Sequence, residues 1–186
     1  MIDETINPWK TFKSEVKYNN PWIKITENQT VNAAGGDGIY GVVHFKNIAL
    51  GIIPLDEDYN TWLVGQYRYP LKQYSWEICE GGGLHNQPPL VSAKRELIEE
   101  LGIKANSWKK IMEIHLSNSV SDEKGILYVA KELSFFDAEP EECEVLQIKK
   151  LPFNSAYEMV INGEITDSLS VTGILKTKIL IDNGEI

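Results

Sequence analysis

The segment that most constrains this chain runs from Gly81-Gly82-Gly83, through Leu84 to Pro89, into an amphipathic stretch that ends at Leu101 and Gly102. At about 100° per residue, Leu90, Ala93, Leu97 and Leu101 fall on one narrow apolar stripe, which predicts a helix over 89–101. Gly102 sits where a left-handed cap closes such a helix. Glu96, Glu99 and Glu100 share an arc of roughly 100° beside that stripe. Like charges at these spacings cost about 0.2 to 0.5 kcal/mol per pair, so carboxylates placed next to buried surface invite a counter-charge. Mg²⁺ suits them, because it takes hard oxygen ligands and keeps positions open for water and phosphate oxygens. The bland alternative is a solvated acidic face, partly neutralised by Lys94 and Arg95. Against it stands the glycine triplet, read as a loop that lets backbone approach a ligand closely, since no strand or helix needs three glycines in a row.

Around this segment the chain divides in two. Thr11 to Tyr18, Ile23 to Val31 and Ile39 to Phe45 read as short strands, separated by Asn19-Asn20-Pro21 and Gly35-Gly36-Asp37-Gly38. They are too short to bury a core alone, so residues 1–45 form a β-rich subdomain that must pack on the rest of the chain or on a second subunit. Residues 46–186 alternate apolar strands and helices. Strands are expected at Ile48 to Leu55, Thr61 to Tyr67, Trp76 to Cys79, Trp108 to Leu116, Gly125 to Glu132 and Glu144 to Leu151. Helices follow at Ser155 to Ile161 and, behind Asp167 as cap, Ser168 to Ile181. This order points to a sheet covered by helices.

Charge and cysteine content narrow the function. Eighteen basic against 27 acidic residues give a net charge of −9, a field that repels a phosphate backbone and argues against nucleic-acid binding. A small anionic substrate remains compatible if a divalent cation screens it. Cys79 and Cys143 match no metal spacing or C-x-x-C pair, which fits a reducing cytoplasm. The acidic start Met1-Ile2-Asp3-Glu4 lacks a signal pattern and no apolar run reaches membrane-spanning length, so a soluble cytoplasmic protein with no membrane partner is expected.

Gly81 to Ile103 closely resembles the signature of the Nudix hydrolases, G-x5-E-x7-R-E-U-x-E-E-x-G-U, where U is a bulky aliphatic residue. Arg95-Glu96-Leu97-Ile98-Glu99-Glu100-Leu101-Gly102-Ile103 satisfies every position of its second half. Gln87 stands where the family has its first glutamate. The resemblance implies an α/β fold: a Nudix-type α/β/α sandwich with a mixed sheet, plus a small N-terminal antiparallel β subdomain. It implies Glu96 and Glu100 as metal ligands, Glu99 as ligand or water-orienting base, and the Glu80 carbonyl as a backbone ligand, for Mg²⁺ or for Mn²⁺ in its place.

Gln66-Tyr67-Arg68-Tyr69-Pro70, Trp76 to Gly82, and Glu164-Ile165-Thr166-Asp167 are similar to the ADP-ribose pyrophosphatase-like branch. That likeness implies substrate contacts at Arg68, Trp76, Glu77, Gly82 and Ser117. The acidic loop Glu139-Pro140-Glu141-Glu142 resembles one that carries a metal-binding or water-activating glutamate, which makes Glu139 and Glu141 catalytic candidates beside Glu99. Members commonly swap the N-terminal subdomain between two subunits, so a homodimer is expected. Ser117-Asn118-Ser119-Val120-Ser121 lacks the proline that ADP-ribose-specific members usually carry there.

Other signals carry less. Asp56-x-Asp58-x-Asn60 opens like a calcium loop but continues with Thr61 where glycine is needed. Arg68 fits a phosphate contact, since a guanidinium matches phosphate oxygens bidentately. Trp9, Tyr18 and Trp22 suit core or dimer contacts, or a face on which a base stacks. The resulting expectation is a Mg²⁺-dependent hydrolase of a nucleoside diphosphate linked to another group. ADP-ribose, cleaved to AMP and ribose 5-phosphate, is the leading substrate. The alternatives are another nucleotide sugar, a dinucleotide, or a nucleotide-sensing module that does not cleave.

Overall fold

The computed structural model describes residues 4–138 and 145–186. Its first elements are β1 (Lys10–Asn19), β2 (Ile23–Val31), β3 (Asp37–Phe45), β4 (Asn47–Pro54), β5 (Asn60–Arg68), β6 (Gln73–Glu77) and β7 (Cys79–Leu84). Then come α1 (Pro89–Leu101), β8 (Ile103–His115), β9 (Lys124–Phe135), β10 (Gln147–Pro152), α2 (Phe153–Ile161) and α3 (Ser168–Asp182). The chain forms two compact units: residues up to Lys46 with Ser117–Glu123, and Asn47–Leu116 with Lys124–Ile186.

In the larger unit, β4 pairs antiparallel with β7 and parallel with β9, and β8 completes a mixed sheet in the order β7-β4-β9-β8. A second sheet, β10-β5-β6, is antiparallel throughout. Strand alternation divides the core into two layers. Leu50 and Ile52 of β4 and Ile126, Tyr128 and Ala130 of β9 pack with Ala93, Leu97 and Leu101 of α1. Ile53, Leu127 and Val129 join Phe153 and Ala156 of α2 and Leu169 and Ile174 of α3. Helices therefore cover opposite faces, giving the expected α/β/α sandwich. Each fully buried Leu or Ile contributes about 1.5–3 kcal/mol. The apolar stripe read from the sequence is thus the seam that fixes α1 on the sheet.

The glycine triplet is part of a strand, contrary to its reading as a loop. Gly81, Gly82 and Gly83 pair with Leu50, Ala49 and Ile48 in the ladder of β7 with β4. Clearance requires the glycine: a Cβ on Gly81 would stand 2.1 Å from Cδ of Glu96. At the other end of α1, Gly102 adopts φ 63° and its N–H caps the Ile98 carbonyl, as expected. A further difference is β8, which begins at Ile103 because it runs beside β9 from Ile103↔Phe135 onward, with a register shift between Lys110 and Met112. The polar stretch Lys104 to Ser107 hides that edge from pattern reading.

In the smaller unit, β1, β2 and β3 form an antiparallel sheet in that order. All of β1 is exposed, and the buried side chains of the three strands are Thr26 and Thr30. The segment 117–123 adds to the β3 edge: Val43 N–H donates to Val120 O, Asp122 N–H donates to Val43 O, and His44 Nδ1 lies 2.6 Å from Asp122 Oδ2. Among the described residues no helix is long and apolar enough to cross a membrane.

Candidate active site

The α1 carboxylates meet the backbone of β7. Glu100, only 3% exposed, accepts the Glu80 N–H at Oε2 over 3.2 Å. One turn earlier, Glu96 accepts the Gly82 N–H at Oε1 over 3.1 Å. The absence of a side chain on Gly81, between those two amides, is what lets α1 lie this close. Glu99 is the outermost of the three. Arg95 reaches both neighbours: its Nη2 pairs with Glu96 Oε1 at 2.5 Å and its Nη1 pairs with Glu99. It also donates to the Gly82 carbonyl at 3.3 Å.

Burial pushes the Glu96 carboxyl above its ordinary value, against the pull of Arg95 and the Gly82 amide, with Glu99 adding to the rise. Burial likewise holds the Cys79 thiol well above its usual range, helped by the charge and hydrogen bond of Glu100. Low dielectric strengthens these effects because water cannot screen them.

A second cluster lies on the far side of β7. Arg68 grips Glu77 through Nε at 2.9 and 3.0 Å, and through Nη2 at 2.5 Å. Such a fork on a buried carboxylate fixes the guanidinium plane. The Glu80 side chain points here, away from Glu96 and Glu100, with Oε2 3.9 Å from Arg68. Burial raises the Glu80 carboxyl well above the normal carboxylate range, and Asp167 and Glu77 raise it further, while Ser170 donates to it. A cavity of about 390 Å³ opens beside this cluster, lined by Arg68, Ser75, Glu77, Asp167 and Ser168 among others.

The structure thus brings the Glu80 and Gly82 amides to Glu100 and Glu96, and joins Glu99 to Glu96 through Arg95. It gathers Arg68, Glu77 and the Glu80 side chain in a separate cluster on the other face of β7. Trp76 points to the opposite face of β6 from Glu77, where Tyr74 packs against its ring and Lys149 Nζ lies 3.9 Å from its centroid. Ser117 belongs to the smaller unit, where its carbonyl accepts from Val120 and Ser121. Glu139 and Glu141 lie outside the described residues. Gln87 donates to Ser92 Oγ at 2.8 Å, across the first turn of α1.

Sequence reading missed three parts of this arrangement: the bridging by Arg95, the burial of Cys79 against Glu100, and the bond from Ser170 to Glu80. The signal for the last was a serine inside the buried stripe Leu169, Ser170, Gly173 and Ile174 of α3.

Among the described residues no group of three His, Cys, Asp or Glu side chains encloses a metal position. The donors of the α1 edge are nonetheless all oxygens, carboxylate and backbone carbonyl, which is the kind of set a hard divalent ion takes. Arg95, paired with Glu96 and Glu99, supplies a positive charge to two of the carboxylates.

The Nudix domain family matches residues 46–167. An ADP-ribose pyrophosphatase of Mycobacterium tuberculosis is 29% identical over 172 residues, covering 90% of this chain and 82% of its own length. A methanol dehydrogenase activator of Bacillus methanolicus is 28% identical over 89% of this chain and 90% of its own. A GDP-mannose pyrophosphatase of Salmonella typhimurium is 33% identical over 57% of this chain and 58% of its own. The crystal structure of an ADP compounds hydrolase superposes with a TM-score of 0.85 at 18% identity, over 99% of this chain and 100% of that one, which supports the fold. With the glutamate helix packed on the glycine strand and the family match spanning both, the chain belongs to the Nudix family and is a hydrolase of that family.

Proposed function

We propose that the protein hydrolyses the diphosphate bond of a nucleoside diphosphate sugar, with ADP-ribose as the leading substrate. The observation that carries this is the α1 edge, where Glu96 and Glu100 meet the β7 backbone and Arg95 ties Glu99 to Glu96. Glu96, Glu99 and Glu100, with the Glu80 carbonyl, would hold Mg²⁺ or Mn²⁺, which when bound neutralises charge at the diphosphate and polarises water.

The chain's own groups supply the rest. Arg68, held by Glu77 at 2.9 Å, is oriented before substrate arrives and offers its guanidinium to a phosphate oxygen. Glu99, less buried than Glu96 and Glu100, would take the proton of the attacking water where it does not serve as a ligand. Glu139 and Glu141 are the alternative bases. In-line attack on ADP-ribose would release AMP and ribose 5-phosphate.

ADP-ribose pyrophosphatases among the relatives support this substrate, and a GDP-mannose pyrophosphatase supports another nucleotide sugar as the second choice. Residues 46–186 would form the hydrolase domain. Residues 1–45 would join two copies into a homodimer, since Phe12, Val16, Trp22 and Ile39 are all more than half exposed. The fully buried, unpaired thiol of Cys79 is compatible with a cytoplasmic setting. A panel of ADP-ribose, GDP-mannose and dinucleotides, each with Mg²⁺ and Mn²⁺, tests the reading. Release of AMP from ADP-ribose supports it, whereas tight binding without turnover of any member would establish a sensing module.

A further inference from the structure

We infer that Ser170 is a positioning residue for the acidic edge of α1, acting through the backbone of residues 78–80. The inference rests on the metal-site reading above. The chain changes sheets at Ile78: Glu77 pairs with Val64 in one sheet, and Cys79 pairs with Ile52 in the other. A sheet change interrupts the ladder, and Ile78 is 1% exposed, so its N–H cannot turn to water instead. A buried N–H left unmade costs about 1–3 kcal/mol.

One hydroxyl solves this. Ser170, without exposed surface, accepts the Ile78 N–H at 3.0 Å and donates its own proton to Glu80 Oε1 at 2.7 Å. Its backbone is fixed in turn, since the Ser170 N–H donates to Asp167 Oδ2 at 2.8 Å in the first turn of α3. The hydroxyl therefore holds the chain on both sides of Cys79. The next contacts along that chain are those of the α1 edge, Glu80 N–H on Glu100 and Gly82 N–H on Glu96. Removing the hydroxyl leaves the buried Ile78 amide without its acceptor and takes one hydrogen bond from the Glu80 side chain. The segment that carries the Glu80 and Gly82 amides to Glu100 and Glu96 thereby loses an anchor that the β4 ladder does not replace at Ile78.

If Ser170 only filled space, any small buried side chain on α3 would serve as well. Thr177 provides the comparison. It lies on the same helix with no exposed surface, and its hydroxyl has no hydrogen-bond partner among the described residues. The experiment takes the full-length protein as wild type, Ser170→Ala, Ser170→Cys, Thr177→Ala and Glu100→Gln. It measures Mn²⁺ binding without substrate, from the electron paramagnetic resonance signal of the free ion, then kcat and KM for ADP-ribose. Ser170→Ala should weaken Mn²⁺ binding at least about fivefold, the equivalent of one lost hydrogen bond, and lower kcat with KM nearly unchanged. Ser170→Cys, which keeps the volume, should behave the same way should the alanine variant not fold. Thr177→Ala should leave Mn²⁺ binding within about twofold, even where its melting temperature falls equally. Ser170 variants that match Thr177→Ala in Mn²⁺ affinity would overturn the inference. Wild-type protein that binds no Mn²⁺ would overturn the metal-site reading and this inference with it. If wild type binds, Glu100→Gln does not, and the Ser170 variants bind like wild type, the inference alone fails.

Discussion

The amide of Gln87 donates to the hydroxyl of Ser92 at 2.8 Å, so the residue that replaces the family's first glutamate spans the opening turn of α1 and leaves Arg95 to Glu96 and Glu99. A glutamate there could accept from the same hydroxyl, since Ser can donate or accept. Gln87→Glu should therefore fold normally and raise the hydrolysis rate by less than roughly 30-fold, the equivalent of about 2 kcal/mol. Activity that appears only in Gln87→Glu, with none in wild type, would instead favour the sensing module.

Glu100→Gln keeps an oxygen that can accept the Glu80 N–H while removing the charge. Helix propensity is also unchanged. Thermal melting should shift little, while metal-dependent turnover should fall by at least about a hundredfold, near 3 kcal/mol in the barrier. Wild-type rates at limiting Mg²⁺ would refute the ligand assignment.

Gly81→Ala places a methyl group 2.1 Å from Cδ of Glu96, so either Glu96 or the β7 backbone must move. Overpacking of this kind costs about 1–3 kcal/mol. A lower melting temperature together with loss of turnover is expected, and an alanine variant as active as wild type would show that α1 need not lie this close to β7.

Sedimentation at micromolar concentration should show a dimer. A truncation starting at Asn47 should be monomeric or aggregate, because the exposed apolar residues of β1 to β3 are expected to supply the contact. A wild-type monomer would refute this.

Asp56 provides a pH test far from the α1 edge. Burial pushes its carboxyl up, yet hydrogen bonds from Lys150 and Asn60 and the Lys150 charge bring it from 3.8 down to about 2. A folded value below the unfolded one means stabilisation present above about pH 4 and lost as pH falls toward 2. Asp56→Asn should thus cost on the order of 1 kcal/mol at neutral pH, solvent screening of Lys150 included, and much less near pH 2. Equal losses by chemical denaturation at both values would contradict it.

Periodicity made α1 legible, because its stripe Leu90, Ala93, Leu97 and Leu101 repeats at helical spacing and Gly102 ends it. Local spacing could not reveal β7. Three glycines carry no alternation, and the strand exists because β4 supplies a ladder and Glu96 demands room. The beginning of β8 was hidden for a related reason, since β9 rather than the polar stretch Lys104 to Ser107 determines where pairing starts. Within the site, Glu96 and Glu100 could be read from one helix, whereas Ser170 and Glu80 are 90 residues apart in sequence and meet only after folding.

Arg95 has a last consequence. A chain that carries its own cation between Glu96 and Glu99 does not leave an open acidic trap when metal is scarce. A divalent ion held by Glu96 and Glu99 would have to displace the Arg95 guanidinium from its pairs with both carboxylates. The repulsion among the glutamates is relieved in both states, so a chelator should switch such a protein off and leave it folded, ready to be switched on again.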